Sequence, residues 1–337
     1  MKSYEGEEIR FSSHKDSRIV PEHHKSAVEE WLLRIEEEMI KSMREKVGET
    51  FTDLAQNMRV RERWLKKWPG QCILTCSKIS WTVMIEESIS SYAKLREYSE
   101  ELNELMEEVV TVVRGQLSNI ERLTLGALII IEVHQKDIVS YLLKNRVISK
   151  DDFEWTSHMR YYWDPINKNL DIKMVQTSLS YGFEYLGGIS RLVITPLTDR
   201  CYRTLMSALD LNLGGAPEGP AGTGKTETVK DLAKAVAYFC LIFNCGKGLN
   251  AHAMEKFFRG LISAGAWSCF DEFNRIDLEV LSVIAQQIHQ IQQAKATNKE
   301  EFDFQGIRVV MKGNCNIFIT MNPGYAGRSE LPDNLKS

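Results

Sequence analysis

The residues of this chain most suited to chemistry lie in its second half, where Gly219-Pro220-Ala221-Gly222-Thr223-Gly224-Lys225-Thr226 fits G-x-x-x-x-G-K-[ST] at every fixed position. Glycines let a backbone turn tightly and bring N–H groups against phosphate oxygens. A helix starting directly after such a loop aims the positive end of its dipole at the same oxygens. On this pattern Lys225 is expected to reach the β- and γ-phosphates, and the Thr226 hydroxyl to ligate Mg2+. The competing reading is a glycine turn that happens to precede a helix, and the complete motif argues against it.

Hydrolysis also needs a group that holds the metal and one that primes water. Ala266 to Phe270 is an apolar run that ends in the adjacent carboxylates Asp271 and Glu272. An acid at the carboxyl end of a parallel strand projects into the crevice where such sheets bind ligands. Asp271 is expected to hold Mg2+, directly or through water, and Glu272 to orient and deprotonate the attacking water. Read alone, an Asp-Glu pair is as readily the cap of the next helix. A further apolar run, Asn316 to Thr320, leads to Met321-Asn322-Pro323-Gly324, which places Asn322 to contact the γ-phosphate or the lytic water.

Elements of regular spacing must hold these groups. After Pro165, Gly182, Gly187 and Gly188 the texture changes to short apolar runs alternating with amphipathic stretches, the pattern of an α/β domain with a mainly parallel sheet. The expected strands are 240–244, 266–270 and 316–320, and the expected helices 226–238, 251–264 and 278–294. Upstream, apolar residues recur every three or four positions from Ser26 to about Arg146: Val28, Trp31, Leu32, Ile35 and Met39, then Leu102, Leu105, Met106, Val109 and Val112. That half reads as helical, with Trp64, Trp68 and Trp81 as packing anchors in preference to an exposed binding face, and with Glu104, Glu107 and Glu108 on a solvated face. Residues 1–25 read as a flexible tail; His23 and His24 lie there without further ligands nearby.

Composition excludes several classes. The net charge of −4 offers no general attraction to nucleic acid or to an anionic membrane. The seven cysteines are scattered, without paired CxxC spacing, so reduced and mostly buried thiols are expected. The polar start lacks a signal peptide's apolar segment, and the longest apolar stretch, Leu125 to Val133, contains Glu132 and is too short to span a bilayer. The expectation is a soluble intracellular protein.

These residues resemble one family over long runs: the dynein heavy chains of the axonemal branch. The runs are RLVITPLTDRCY (Arg191–Tyr202), LGGAPEGPAGTGKTETVKDLAKA (Leu213–Ala235), FNC (Phe243–Cys245), GAWSCFDEFNRI (Gly265–Ile276) and FITMNPGYAGRSELPDNLK (Phe318–Lys336). More diffusely, ISWT (Ile79–Thr82), DFEWTSHMRYYW (Asp152–Trp163) and YGFEYLGG (Tyr181–Gly188) look like the C-terminal part of the dynein linker.

The resemblance implies a helical linker over 26–188 and, over 189–337, the large subdomain of a first AAA+ module that is incomplete. It implies that Gly219 to Thr226 form a Walker A loop, that Asp271 and Glu272 form a Walker B pair, and that Asn322 is sensor 1. Val193, Ile194, Thr195, Pro196 and Leu197 resemble the segment that wraps adenine. Arg328 is not taken as an arginine finger, because in that family the finger comes from a neighbouring module. ATP and Mg2+ are the implied cofactors. The implied partners are the remainder of a dynein ring and other dynein subunits, with microtubules engaged only indirectly, and the implied location is the ciliary axoneme of the cytoskeleton. A chain that holds nucleotide without turnover stays open as an alternative. A small-molecule kinase is weaker, because no acceptor site or lid follows Thr226.

Overall fold

The computed structural model of the chain describes residues 1–12, 28–56, 61–188, 190–246 and 248–323. Two compact units result, Met1–Asp199 and the chain from Arg200 onward. The division falls inside a helix, beyond the Gly187-Gly188 pair at which the sequence texture changes.

The first unit is built on α1 (Val28–Gln56), α2 (Arg61–Lys67), α3 (Gly70–Ser88), α4 (Tyr92–Val113) and α5 (Asn119–Lys144), followed by the short α6 (Phe153–Thr156). Helix α3 is central and touches α1, α4 and α5. It is enclosed almost all round: every residue from Gly70 to Ile79 is buried, polar side chains included, and Ile85 further along is enclosed as well. Its Trp81 meets Trp155 at 5.2 Å in the core formed with Leu95, Leu102, Ile138 and Leu142. Helix α5 opens with a capping box: Ser118 accepts from the Glu121 N–H while the Glu121 carboxylate accepts from the Ser118 N–H. Trp64 and Trp81 are buried, as expected of anchors, and Trp68 is half-buried with its indole N–H on Asp53.

Residues 26–188 are not helical throughout. β1 (Arg160–Asp164), β2 (Asn169–Met174) and β3 (Thr177–Ser180) form an antiparallel sheet in the order β1-β2-β3. Alternation in β2 explains it: Leu170, Ile172 and Met174 face inward, while Asn169, Asp171 and Lys173 do not. Asp164 closes the preceding turn by accepting from the N–H groups of Ile166 and Asn167. The first residues are also tied down, where a patternless tail was expected. The Glu7 carboxylate accepts from the Gly70 N–H at 2.8 Å and from the Tyr185 hydroxyl at 2.7 Å.

The second unit takes up α7 (Pro196–Asp210) from Arg200 and continues with α8 (Lys225–Val236), β4 (Cys240–Asn244), α9 (Ala251–Ala264), β5 (Trp267–Asp271), α10 (Leu278–Ala296), β6 (Glu301–Phe304), β7 (Ile307–Val310) and β8 (Asn316–Ile319). The sheet runs β4-β5-β8, every pair parallel. The segment leading to the glycine loop lies beside β8, with parallel bridges Gly215–Phe318 and Glu218–Met321. The expected strands and helices are thus found within two residues at each end. The hairpin β6–β7, between α10 and β8, was not expected from the sequence. Phe258, Phe270, Phe273, Ile284 and Phe304 are fully enclosed in the core, each stabilising the fold by about 1.5–3 kcal/mol.

Candidate functional site

The glycine loop hangs between the strand-like segment at Gly215–Glu218 and α8. Gly222 and Gly224 have φ of 77° and 83°, and nothing lies within 4 Å of where their Cβ atoms would be, so backbone conformation and not crowding demands glycine there. Gly224 is the residue before α8, whose first-turn N–H groups have no acceptor within the helix. The loop is anchored at its base by Gly219 N–H to the Met321 carbonyl, 3.3 Å. Inside it the Thr223 hydroxyl donates to the Pro220 carbonyl, and the Lys225 ammonium donates to the carbonyls of Gly219 (3.0 Å) and Pro220 (2.6 Å). Pro220 and Ala221 lie exposed on the rim.

Strand ends bring the acids to the loop. The Thr226 hydroxyl donates to Asp271 Oδ1 at 2.6 Å, and the Thr320 hydroxyl donates to the same oxygen. Thr226 and Asp271 are thereby adjacent hard oxygen donors, the ligand chemistry Mg2+ takes. The chain then turns through Glu272 in the left-handed region, φ 53° and ψ 42°, directly before the 3₁₀ turn Phe273–Arg275. This turn separates the two carboxylates: Asp271 stays with Thr226, while Glu272 Oε1 accepts from Asn322 Nδ2 at 3.1 Å. Glu272 Oε2 pairs with Arg275 at 2.6 Å. Asn322 is buried, and its own carbonyl accepts from Asn274.

The structure therefore brings Lys225, Thr226, Asp271, Glu272 and Asn322 to one edge of the parallel sheet. Val193, Ile194, Pro196 and Leu197 belong to the first unit; Val193 and Leu197 are exposed there, and Pro196 begins α7. Gly324, Arg328, His23 and His24 lie outside the described residues. Sequence reasoning missed Thr320 and Arg275. Thr320 holds Asp271 through its hydroxyl and receives the Glu272 N–H at 3.1 Å. Its signal was available: a hydroxyl residue ending an apolar strand, two before Asn322. Burial first, and then Asp271 and Glu272, push the Cys245 thiol up to about 12.

A glycine loop opening a helix, with an amide just after the neighbouring parallel strand and carboxylates ending the strand beyond it, defines the P-loop nucleoside-triphosphatase class. Residues 181–337 match the family profile described as the hydrolytic ATP binding site of the dynein motor region. The chain is 52% identical over 323 residues to dynein axonemal heavy chain 3 of Homo sapiens, a match covering 95% of this chain and 8% of that protein. It is 50% identical over 337 residues to dynein axonemal heavy chain 12 of Rattus norvegicus (100% and 11%). To dynein axonemal heavy chain 1 of Mus musculus it is 49% identical over 337 residues (100% and 8%). The chain belongs with the axonemal dynein heavy chains, of whose length it spans about a tenth. No helix among the described residues is long and apolar enough to cross a membrane.

Proposed function

We propose that the second unit binds ATP with Mg2+ and hydrolyses it, as the nucleotide site of an axonemal dynein motor. The observation that supports this most is the placing of Thr226 against Asp271 and of Glu272 against Asn322 on neighbouring strand ends. The backbone N–H groups of the loop and the Lys225 ammonium receive the phosphates, and Thr226 and Asp271 hold the metal. The metal supplies charge neutralisation of the phosphates when bound. Glu272 accepts the proton of the attacking water, and Asn322 fixes the carboxylate that does so.

Homology extends the proposal. The helical first unit serves as the linker whose position follows the γ-phosphate state, within a larger dynein ring in the ciliary axoneme. Microtubules and other dynein subunits are engaged through parts other than these residues.

A second reading, nucleotide held without turnover, draws on the Arg275–Glu272 pair. A guanidinium on Oε2 stabilises the ionised carboxylate and makes it a weaker proton acceptor. The experiment is Mg2+-dependent binding of ATP and ADP, followed by phosphate release in the same sample. Binding with release above background supports hydrolysis, and binding without it supports the second reading. Absence of Mg2+-dependent binding overturns the site. Lys225→Ala is expected to weaken ATP binding about 10- to 100-fold, from the roughly 1.5–3 kcal/mol of a charged hydrogen bond; unchanged affinity in calorimetry refutes its role.

A further inference from the structure

Away from the glycine loop, the first unit gathers two imidazoles around one buried carboxylate. His134 lies on α5, His158 lies between α6 and β1, and Asp199 lies in the first turn of α7, with its N–H on the Thr195 carbonyl at 3.0 Å. Asp199 Oδ2 is 2.9 Å from His158 Nδ1, and Asp199 Oδ1 is 3.6 Å from His134 Nε2. All three donor atoms lie within 4.8 Å of one another. We infer that His134, His158 and Asp199 form a binding site for a divalent transition ion of the Zn2+ type.

The chemistry of the donor set supports this assignment. Two imidazole nitrogens and a carboxylate oxygen are the ligands Zn2+ accepts at about 2.0–2.1 Å, and tetrahedral donors at that range stand roughly 3.3 Å apart. The two separations from Asp199, one on each carboxylate oxygen, bracket that value, and the two ring nitrogens lie within 4.8 Å of each other. A fourth position is left for water.

Charge points the same way. Asp199 is 7% exposed, and its carboxylate faces the two rings. A buried carboxylate needs a compensating cation. A divalent ion held between the three donors supplies that charge at the carboxylate itself.

The rings are also held in place. His134 and His158 meet edge to face with centroids 6.3 Å apart, and Tyr141, two turns along α5 from His134, stands edge-on to His158 at 6.4 Å. A bound ion here ties α5 and the approach to β1 to the first turn of α7. That makes it a structural clip within the first unit.

The test is titration of Zn2+ into the whole chain after chelator treatment, followed by calorimetry and by the Co2+ absorption spectrum. Wild type is expected to bind one equivalent at this site, with a Co2+ spectrum free of thiolate charge-transfer bands. His158→Gln and Asp199→Asn, which keep size and hydrogen bonding, are expected to bind at least about 10-fold more weakly, the lower end of what perturbing even an outer-shell partner costs. On wild type alone, Zn2+ is expected to protect His134 and His158 from carbethoxylation. Absence of stoichiometric binding at micromolar Zn2+ overturns the site. So do equal affinity in the two variants, thiolate bands with Co2+, or unprotected His134 and His158 in Zn2+-saturated protein.

Discussion

The two units treat buried polar groups in opposite ways. In the first, charges and hydroxyls are enclosed and mostly paired with one another: Arg61 with Glu132 Oε1, although the buried Glu132 Oε2 has no hydrogen-bond partner, Lys78 with the Tyr161 hydroxyl, and Gln71 and Thr75 with the Tyr181 hydroxyl. In the second, Asp271, Glu272, Thr320 and Asn322 gather at the carboxyl ends of parallel strands, where Asp271 and Glu272 are only partly covered. A polar network closed on itself fixes which packing the core adopts. A network left open at a sheet edge keeps its oxygens available to a ligand. The difference teaches where to look for chemistry: at the cluster whose partners are incomplete, and not at the most buried one.

The largest expected effect breaks the open network. Glu272→Gln keeps the shape and the bond from Asn322 but cannot accept a proton, so turnover should fall about 10²- to 10⁴-fold with ATP binding retained. Single-turnover phosphate release measures it, and equal rates remove Glu272 as the base. Next comes the closed network. Arg61→Ala strands the Glu132 carboxylate in the core and should cost about 3–5 kcal/mol, read as a shift of the urea midpoint. Burial raises the Glu132 pKa, with Arg61 opposing. The folded state therefore holds that proton more tightly than the unfolded chain, and stability falls as pH rises from the unfolded carboxylate range through the raised value. Without Arg61 this pH loss should steepen; a variant with a flat pH profile and a wild-type midpoint contradicts the account.

A smaller change sharpens the comparison. Thr320→Val leaves Asp271 with the Thr226 hydroxyl alone and the Glu272 N–H without its acceptor, at a cost of about 1–3 kcal/mol, visible in thermal unfolding and in Mg2+-dependent affinity. The smallest effect belongs to Arg275→Ala. That pair is half exposed on the arginine side, so its loss should change stability by less than about 1 kcal/mol. If Arg275 restrains the base, phosphate release rises, and an unchanged rate shows that the pair is only a surface contact.

Much of the second unit was legible in the sequence because its signals are local. Alternating apolar runs and helical stretches gave β4, β5, β8, α8, α9 and α10, and the glycine loop sits where its motif predicts. The hairpin β6–β7 escaped because Glu301, Asp303 and Arg308 dilute any apolar run. The sheet β1-β2-β3 escaped because helical periodicity on one side and glycines on the other masked the alternation in β2. The partners of Glu272 were half legible: Asn322 follows a visible strand, whereas Arg275 reaches back across a turn whose left-handed residue nothing in the sequence announces. His134, His158 and Asp199 come from three separate elements, and no spacing rule joins them.

The bond from Gly219 N–H to the Met321 carbonyl has a consequence in time. The loop emerges from the ribosome before the strand that anchors it, which follows every element from α8 to β7. Closing so long a loop is entropically costly and slow. The phosphate cradle is therefore anchored only once β8 has joined β5, and a chain able to grip nucleotide has already assembled β4, β5 and β8.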